Sequence, residues 1–106
     1  DDYVPGIRAL APVIHSRVPA YGKVYLYNYH EQPAALFYWD RPVLYVDTPD
    51  DLDQLVPKKK RVWLAVQARQ FEPQVREFVR RGFHVVVRTE TPGDKIYLLE
   101  TRSRRR

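Results

Sequence analysis

Short apolar runs alternate with proline-bounded segments along most of the chain, and this alternation limits the folds that it can adopt. In the first run, residues 23–29, tyrosines occupy every second position and the positions between them are mostly apolar. This period of two is typical of a β-strand, and apolar side chains in both phases indicate a strand that is covered on both faces. The same pattern predicts further strands at 43–46, 61–67, 83–90 and 95–100.

Helical segments lie between these strands. Residues 5–18 keep the apolar spacing of an amphipathic helix, which Pro12 must kink or shorten. Prolines and capping residues place further helices at 33–40, 49–56 and 68–81. Alternating helices and strands predict an α/β fold, with a largely parallel five-stranded sheet and helices on both faces. The short link at 91–94 predicts that the last two strands form an antiparallel hairpin at the edge of the sheet.

The net positive charge of the chain is concentrated near its C-terminus, which bears on whether the folded part binds nucleic acid. The 106 residues have the size of one domain, which we place at 1–101, followed by a disordered basic tail at 102–106. Four of the 18 basic residues lie in that tail, and the other 14 oppose 13 acidic residues, so the folded body is predicted to be nearly neutral. The basic run Lys58–Arg61 is interpreted as a solvated loop. The sequence therefore disfavours nucleic acid as a partner.

Candidate catalytic residues are few. The absence of cysteine excludes thiolate chemistry, cysteine-ligated zinc, iron–sulfur clusters and disulfides, and it suits an oxidising compartment. The loop after the first strand has no glycine, so a Gly-rich dinucleotide-binding turn is excluded there. His30 with Glu31 in that loop is the best acid–base candidate. We predict no catalytic constellation, no metal site and no cofactor in this chain.

Four carboxylates follow the second predicted strand, at Asp47, Asp50, Asp51 and Asp53. Such a cluster could bind a divalent metal. However, Thr48 is a good N-cap residue, and acidic residues in the first turn of a helix complement its dipole. We therefore interpret these residues as the start of a helix.

Three consecutive aromatic residues, Phe37, Tyr38 and Trp39, fall on the second predicted helix. Neighbouring helical residues point about 100° apart, so the three rings cannot form one flat stacking face. Phe37 is expected to pack on the sheet, which turns Tyr38 or Trp39 toward a boundary. Trp39 with Arg41 is then the edge open to a substrate, and Tyr38 and His30 are the other binding candidates.

The segment "LFYWDRPVLYVD" (36–47), followed by "TPDDLDQLV" and "RVWLAV", resembles the C-terminal soluble region of polytopic glycosyltransferases that use polyprenyl-phosphate-linked sugars. These enzymes are bacterial relatives of protein O-mannosyltransferases and include the lipid A aminoarabinose transferases. The order of elements agrees over residues 5–100. The matching positions are Ala35, Leu36, Phe37, Tyr38, Arg41, Pro42, Val43, Asp50, Asp51, Leu52 and Leu55.

The resemblance implies a non-catalytic domain at the cell membrane, on its extracytoplasmic side, because the metal-binding and acceptor-activating acids of such enzymes lie in their membrane part. It implies that the partners are the membrane-embedded part of the same polypeptide and a glycan, lipid or protein acceptor. The domain would cover the active site, contact the acceptor or mediate assembly. Trp39 and Asp40 depart from the family pattern, in which smaller residues are common at these positions.

Two other functions stay open at this point. One is a free-standing cytosolic α/β binding or regulatory module, whose arginine tail meets nucleic acid or acidic lipid. The other is a small metal-dependent hydrolase built on Asp47, Asp50 and Asp51.

Overall fold

The computed structural model describes residues 5–91 and 95–102. Short 3₁₀ turns follow the fourth and fifth helices, at Val56–Lys58 and Glu72–Gln74. The helices and strands run in the order α1 (Pro5–Ala9), α2 (Ala11–Arg17), β1 (Val24–Tyr27), α3 (Pro33–Trp39), β2 (Val43–Val46), α4 (Pro49–Leu55), β3 (Trp63–Gln67), α5 (Ala68–Phe71), α6 (Val75–Arg80), β4 (Phe83–Arg88) and β5 (Ile96–Thr101).

These strands form one mixed sheet in the order β2-β1-β3-β5-β4. β1 pairs in parallel with β2 and β3, whereas β5 pairs antiparallel with β3 and β4. Only β5 is therefore reversed, which confirms an α/β fold with a mostly parallel sheet and antiparallel C-terminal strands. The predicted antiparallel hairpin is confirmed: β4 and β5 pair with each other and are the last two strands at one side of the sheet, with β4 as the edge strand. Burial agrees with this order, since nearly all of β5 is buried and β4 is only partly buried.

Helices cover both faces of the sheet, as predicted. Helices α1, α2 and α3 pack on one face, where Leu10 and Trp39 join Leu26 of β1 in one buried cluster. Helices α4, α5 and α6 pack on the other face, where the rings of Phe78 and Tyr27 meet edge to face with their centroids 5.5 Å apart. Two apolar faces on β1 explain why both phases of its sequence are apolar.

Two prolines divide segments that the spacing predicts as single helices. Pro12 lies in the first turn of α2, and the first helical segment breaks at Leu10. Pro73 lies in the 3₁₀ turn between α5 and α6. A 3₁₀ turn has fewer residues per turn than an α-helix, so it shifts the phase of the residues that follow it. Val75 and Val79, which share the apolar helical spacing of Phe71 and Phe78 in the sequence, are exposed, whereas the two phenylalanines are buried.

The acidic segment after β2 begins a helix, as predicted. The hydroxyl of Thr48 accepts a hydrogen bond from the backbone N–H of Asp51 at 3.2 Å. The carboxylate of Asp51 in return accepts from the N–H of Thr48 at 3.2 Å and from the N–H of Asp47 at 3.1 Å. This reciprocal capping box occupies the Asp51 carboxylate, which the hydrolase hypothesis assigned to a metal.

Two sequence predictions fall largely outside the described residues. The predicted turn at 91–94 is described only at Thr91, and the predicted tail at 102–106 only at Arg102. Within residues 5–91 and 95–102, no helix has the length and the apolar character that crossing a bilayer requires.

The capping box predicts a pH dependence of stability. The Asp47 backbone N–H, followed by the bonds to Thr48, holds the pKa of Asp51 below its ordinary value. A carboxyl whose pKa is lower in the folded state adds stability above its unfolded pKa of about 3.9, and this stability is lost as the pH falls through the folded pKa. We expect Asp51→Asn to lower the free energy of unfolding at neutral pH and to flatten its decline in acid.

Urea unfolding at neutral pH and at about pH 3 measures this difference. Asp50→Asn is the matched control, since Asp50 lies exposed in the same turn but outside the capping box. Equal acid dependence in both variants would contradict the capping role.

Candidate functional site

Trp39 faces the interior, so the prediction that it forms an open edge is wrong. Its side chain is fully buried, and its indole Nε1 donates a hydrogen bond of 2.7 Å to the carbonyl oxygen of Ile7 in α1. Ala35, one helical turn earlier, is also fully buried. Positions i and i+4 share a helix face, so Ala35 and Trp39 set the side of α3 that packs on the core. In this conformation the indole has no surface with which to contact a ligand.

Phe37 lies on the opposite side of α3, so the prediction that it packs on the sheet is also wrong. It is 78% exposed, and its neighbour Leu36 is exposed as well. Tyr38 is half-buried, with its ring centroid 5.1 Å from that of Phe37. The guanidinium of Arg8 lies over the Tyr38 ring at 5.7 Å. Leu36 and Phe37 therefore form an apolar pair on the surface of α3.

Arg41 uses its donors on the backbone. Its Nε donates to the carbonyl of Pro19 at 3.0 Å, and one terminal nitrogen donates to the carbonyl of Val18 at 2.9 Å. The other terminal nitrogen donates to the carbonyl of Asp40 at 2.8 Å. These bonds satisfy carbonyls that follow α2 and α3, and the carbonyl of Pro19 also accepts from the Gly22 N–H at 2.8 Å. Arg41 thus holds two helix ends together.

His30 and Glu31 are both exposed, beyond the carboxyl end of β1. Among the described residues, no group of three or more His, Asp or Glu side chains is placed to hold a metal ion. The sequence candidates therefore do not converge: Trp39 is in the core, Arg41 binds backbone, Tyr38 faces Arg8 and His30 stands apart from all three.

A second set of residues does converge, and the reversal of β5 brings it together. The segments that lead into β1, β3 and β4 lie beside the segment that follows β5. This is the end of the sheet at which the parallel strands begin, and we call it the amino edge; it is distinct from the edge strands β2 and β4. Backbone bonds join these segments, from the Thr101 N–H to the carbonyl of Val62 at 3.0 Å and from the Arg102 N–H to the carbonyl of Gly82 at 3.2 Å. Basic residues are frequent here, namely Arg17, Lys23, Lys59, Lys60, Arg61, Arg81 and Arg102.

A cavity of about 530 Å³ opens at the amino edge, and we call it the amino-edge pocket. Two buried aromatic residues, Tyr25 and Trp63, contribute to its wall, and Tyr21 beside them is 86% exposed. A Cβ atom on Gly22 would lie 2.7 Å from a methyl carbon of Val18 and 3.2 Å from the Trp63 ring, so only glycine fits there. The remaining lining residues are Arg17, Pro19, Lys23, Lys59, Lys60 and Arg61.

Glu100 fixes two of these cations. Its side chain is only 3% exposed, and it accepts from Nε of Arg17 at 2.8 Å and from a terminal nitrogen of Arg61 at 2.6 Å. A buried carboxylate is costly unless it is paired and hydrogen-bonded, so both guanidinium groups are held beside the pocket. Each arginine keeps a solvent-accessible side, because Arg17 and Arg61 are both substantially exposed.

The rest of the pocket adds positive charge. Lys23, Lys59 and Lys60 are exposed, and within residues 5–91 and 95–102 their ammonium groups take part in no ion pair. Burial raises the pKa of the Tyr25 phenol, so this hydroxyl stays neutral at physiological pH. Five cations against one buried carboxylate leave the pocket strongly positive.

The sequence analysis missed this site. The run Lys58–Arg61 is exposed, as its interpretation as a solvated loop requires, but three of its residues also line the pocket. The available signal was positional: basic residues stand at the start of two predicted strands, at Lys23 and Arg61, and two residues before another, at Arg81. The amino ends of parallel strands lie at one edge of the sheet, so this spacing would have placed these cations together.

Comparison of the chain with models of known protein families, with curated proteins and with solved structures found no match.

The opposite environments of the two aromatic residues predict opposite effects of substitution. Trp39→Ala empties a fully buried site and should lower the free energy of unfolding by about 3–5 kcal/mol. Phe37→Ala removes an exposed ring and should change it by only about 0.5 kcal/mol. Chemical unfolding of the two variants beside the parent chain measures both values. A large loss for Phe37→Ala would mean that this ring is covered in solution.

Proposed function

We propose that this chain is a non-catalytic binding domain that holds a small anionic ligand in the amino-edge pocket. The observation that carries this proposal is the pair of guanidinium groups, those of Arg17 and Arg61, fixed beside the pocket by the buried carboxylate of Glu100. Donors that are already fixed lose little conformational entropy when a ligand binds, so more of the interaction free energy contributes to the affinity.

The composition of the pocket defines the chemistry of the ligand. Guanidinium and ammonium groups bind phosphate oxygens through charge-assisted hydrogen bonds. The wall of Tyr25 and Trp63 supplies an apolar surface, and the cavity of about 530 Å³ lies within the size range of small-molecule sites. A ligand with one or more phosphate groups satisfies both features.

Inorganic pyrophosphate is a direct probe of this site. We expect saturable binding in calorimetry, together with a shift of the Trp63 indole resonance in NMR spectra. The double variant Lys59→Gln/Lys60→Gln should bind pyrophosphate at least about tenfold more weakly, because a hydrogen bond to a charged group contributes about 1.5–3 kcal/mol.

Arg76→Gln is the matched control for the loss of a positive charge, since Arg76 is exposed on α6 and does not line the pocket. It should bind pyrophosphate as the parent chain does. Absence of saturable binding, or equal weakening in this control, would overturn the proposal.

A second proposal concerns the cellular context. We propose that the domain is the accessory, extracytoplasmic part of a membrane glycosyltransferase that uses a lipid-linked sugar donor, as the resemblance of residues 36–66 implies. The apolar pair Leu36 and Phe37 favours it, because this part of the resembling segment lies at the surface rather than in the core. Exposed apolar side chains that neighbour one another are typical of a contact with another protein segment. The partner is then the membrane-embedded part of the same polypeptide, and the acceptor is a glycan, a lipid or a protein.

The reading frame upstream of Asp1 tests this context. We expect several apolar segments, each of about 20 residues, as required to span a bilayer. A frame that opens with an initiator methionine directly before Asp1 would favour the free-standing module instead.

A further inference from the structure

A second depression lies beside the amino-edge pocket and shares two of its residues, Lys59 and Lys60. It is small, about 40 Å³, and it is also lined by Arg81, Gly82 and Arg102. The two shared lysines make the pocket and this second depression neighbours along one edge of the sheet. A ligand that leaves the pocket past these lysines therefore meets further cations.

The two arginines of the second depression differ in role. Arg81 is nearly buried, and its Nε donates to the carboxylate of Asp53 at 2.7 Å, so its charge is largely compensated. Arg102 is exposed, while its backbone N–H is held by the Gly82 carbonyl. Arg102 thus presents a cation to the depression from an anchored backbone.

The charge along this edge exceeds what one phosphate group requires. The five cations of the pocket continue through the shared lysines to Arg102, and no Asp or Glu lines either depression among the described residues. Neighbouring ammonium groups repel one another unless an anion lies between them, and a row of cations fits an anion with repeated charges. One terminal phosphate would leave Arg102 without a role.

We propose that the ligand of this site is an extended phosphate chain, which begins in the amino-edge pocket and continues along the second depression to Arg102. This inference rests on the proposed anion-binding function and names the class of its ligand. The shared chemistry is a row of phosphate groups, found both in linear oligophosphates and in a single phosphodiester strand. Tyr21 separates these two sources, because its exposed ring at the pocket can stack on a nucleobase but adds little to an oligophosphate.

Calorimetry with pyrophosphate, tripolyphosphate and a four-residue oligothymidylate, on the full chain, tests the proposal. We expect tripolyphosphate and the oligothymidylate to bind more tightly than pyrophosphate at the same ionic strength. Arg102→Gln should weaken binding of the two longer ligands and leave pyrophosphate unaffected. For the oligothymidylate, Arg102→Gln should also make the decline of log affinity with log salt concentration shallower by about 0.7, the value for one lost phosphate contact to a single strand.

Arg76→Gln again controls for the loss of one charge and should change none of these affinities. Tyr21→Ala should weaken only the oligothymidylate if the ligand is a nucleic acid strand, and neither longer ligand if it is an oligophosphate. Equal binding of all three ligands, or an equal effect of Arg102→Gln on each, would overturn the extended chain and leave the pocket as a site for a small anion. Failure of pyrophosphate itself to bind would overturn the proposed function as well.

Discussion

The buried carboxylate of Glu100 is the interaction on which the amino edge depends. It lies near the end of β5, and its partners come from the end of α2 and from the segment before β3. Without hydration, the charge of Glu100 is stable only when both arginines remain in place. The ion pairs therefore fix α2, the loop at 56–62 and β5 relative to one another, and they set the shape of the pocket between them. A local change at Glu100 would reach all three segments.

The sequence was sufficient for features that local physical chemistry decides. Strand alternation and the helix start at Thr48 depend on neighbouring residues, and these elements lie near their predicted positions. The place of β5 between β3 and β4 depends on long-range pairing, which no local pattern specifies. The reversal of Phe37 and Trp39 has a similar origin. A single helix gives the angle between the two rings, but only the packing of α3 against Ile7 in α1 decides which ring is buried.

Net charge is a poor guide to the surface of this molecule, because the fold gathers several cations at the amino edge. A nearly neutral body can still have a strongly positive edge when several of its acids lie at the other ends of the strands. The acids Glu31, Asp47 and Asp50 follow β1 and β2 at the carboxyl edge, whereas the basic run Lys58–Arg61 precedes β3. The net charge of each end of the sheet is therefore more informative than the net charge of the whole chain. It can be calculated only when the order and direction of the strands are known.

The location of the pocket also determines how it can attract an anion. In open α/β sheets ligands usually bind beyond the carboxyl ends of the strands, where helix N-termini contribute positive dipoles. In this chain, Asp50 and Asp51 already complement the N-terminus of α4. An anion at the amino edge has to be held by side chains instead. For the anion that we propose, the arginines fixed by Glu100 would supply geometry, and the exposed lysines would supply attraction that salt screens. Selectivity and affinity would then belong to different residues and could be changed independently.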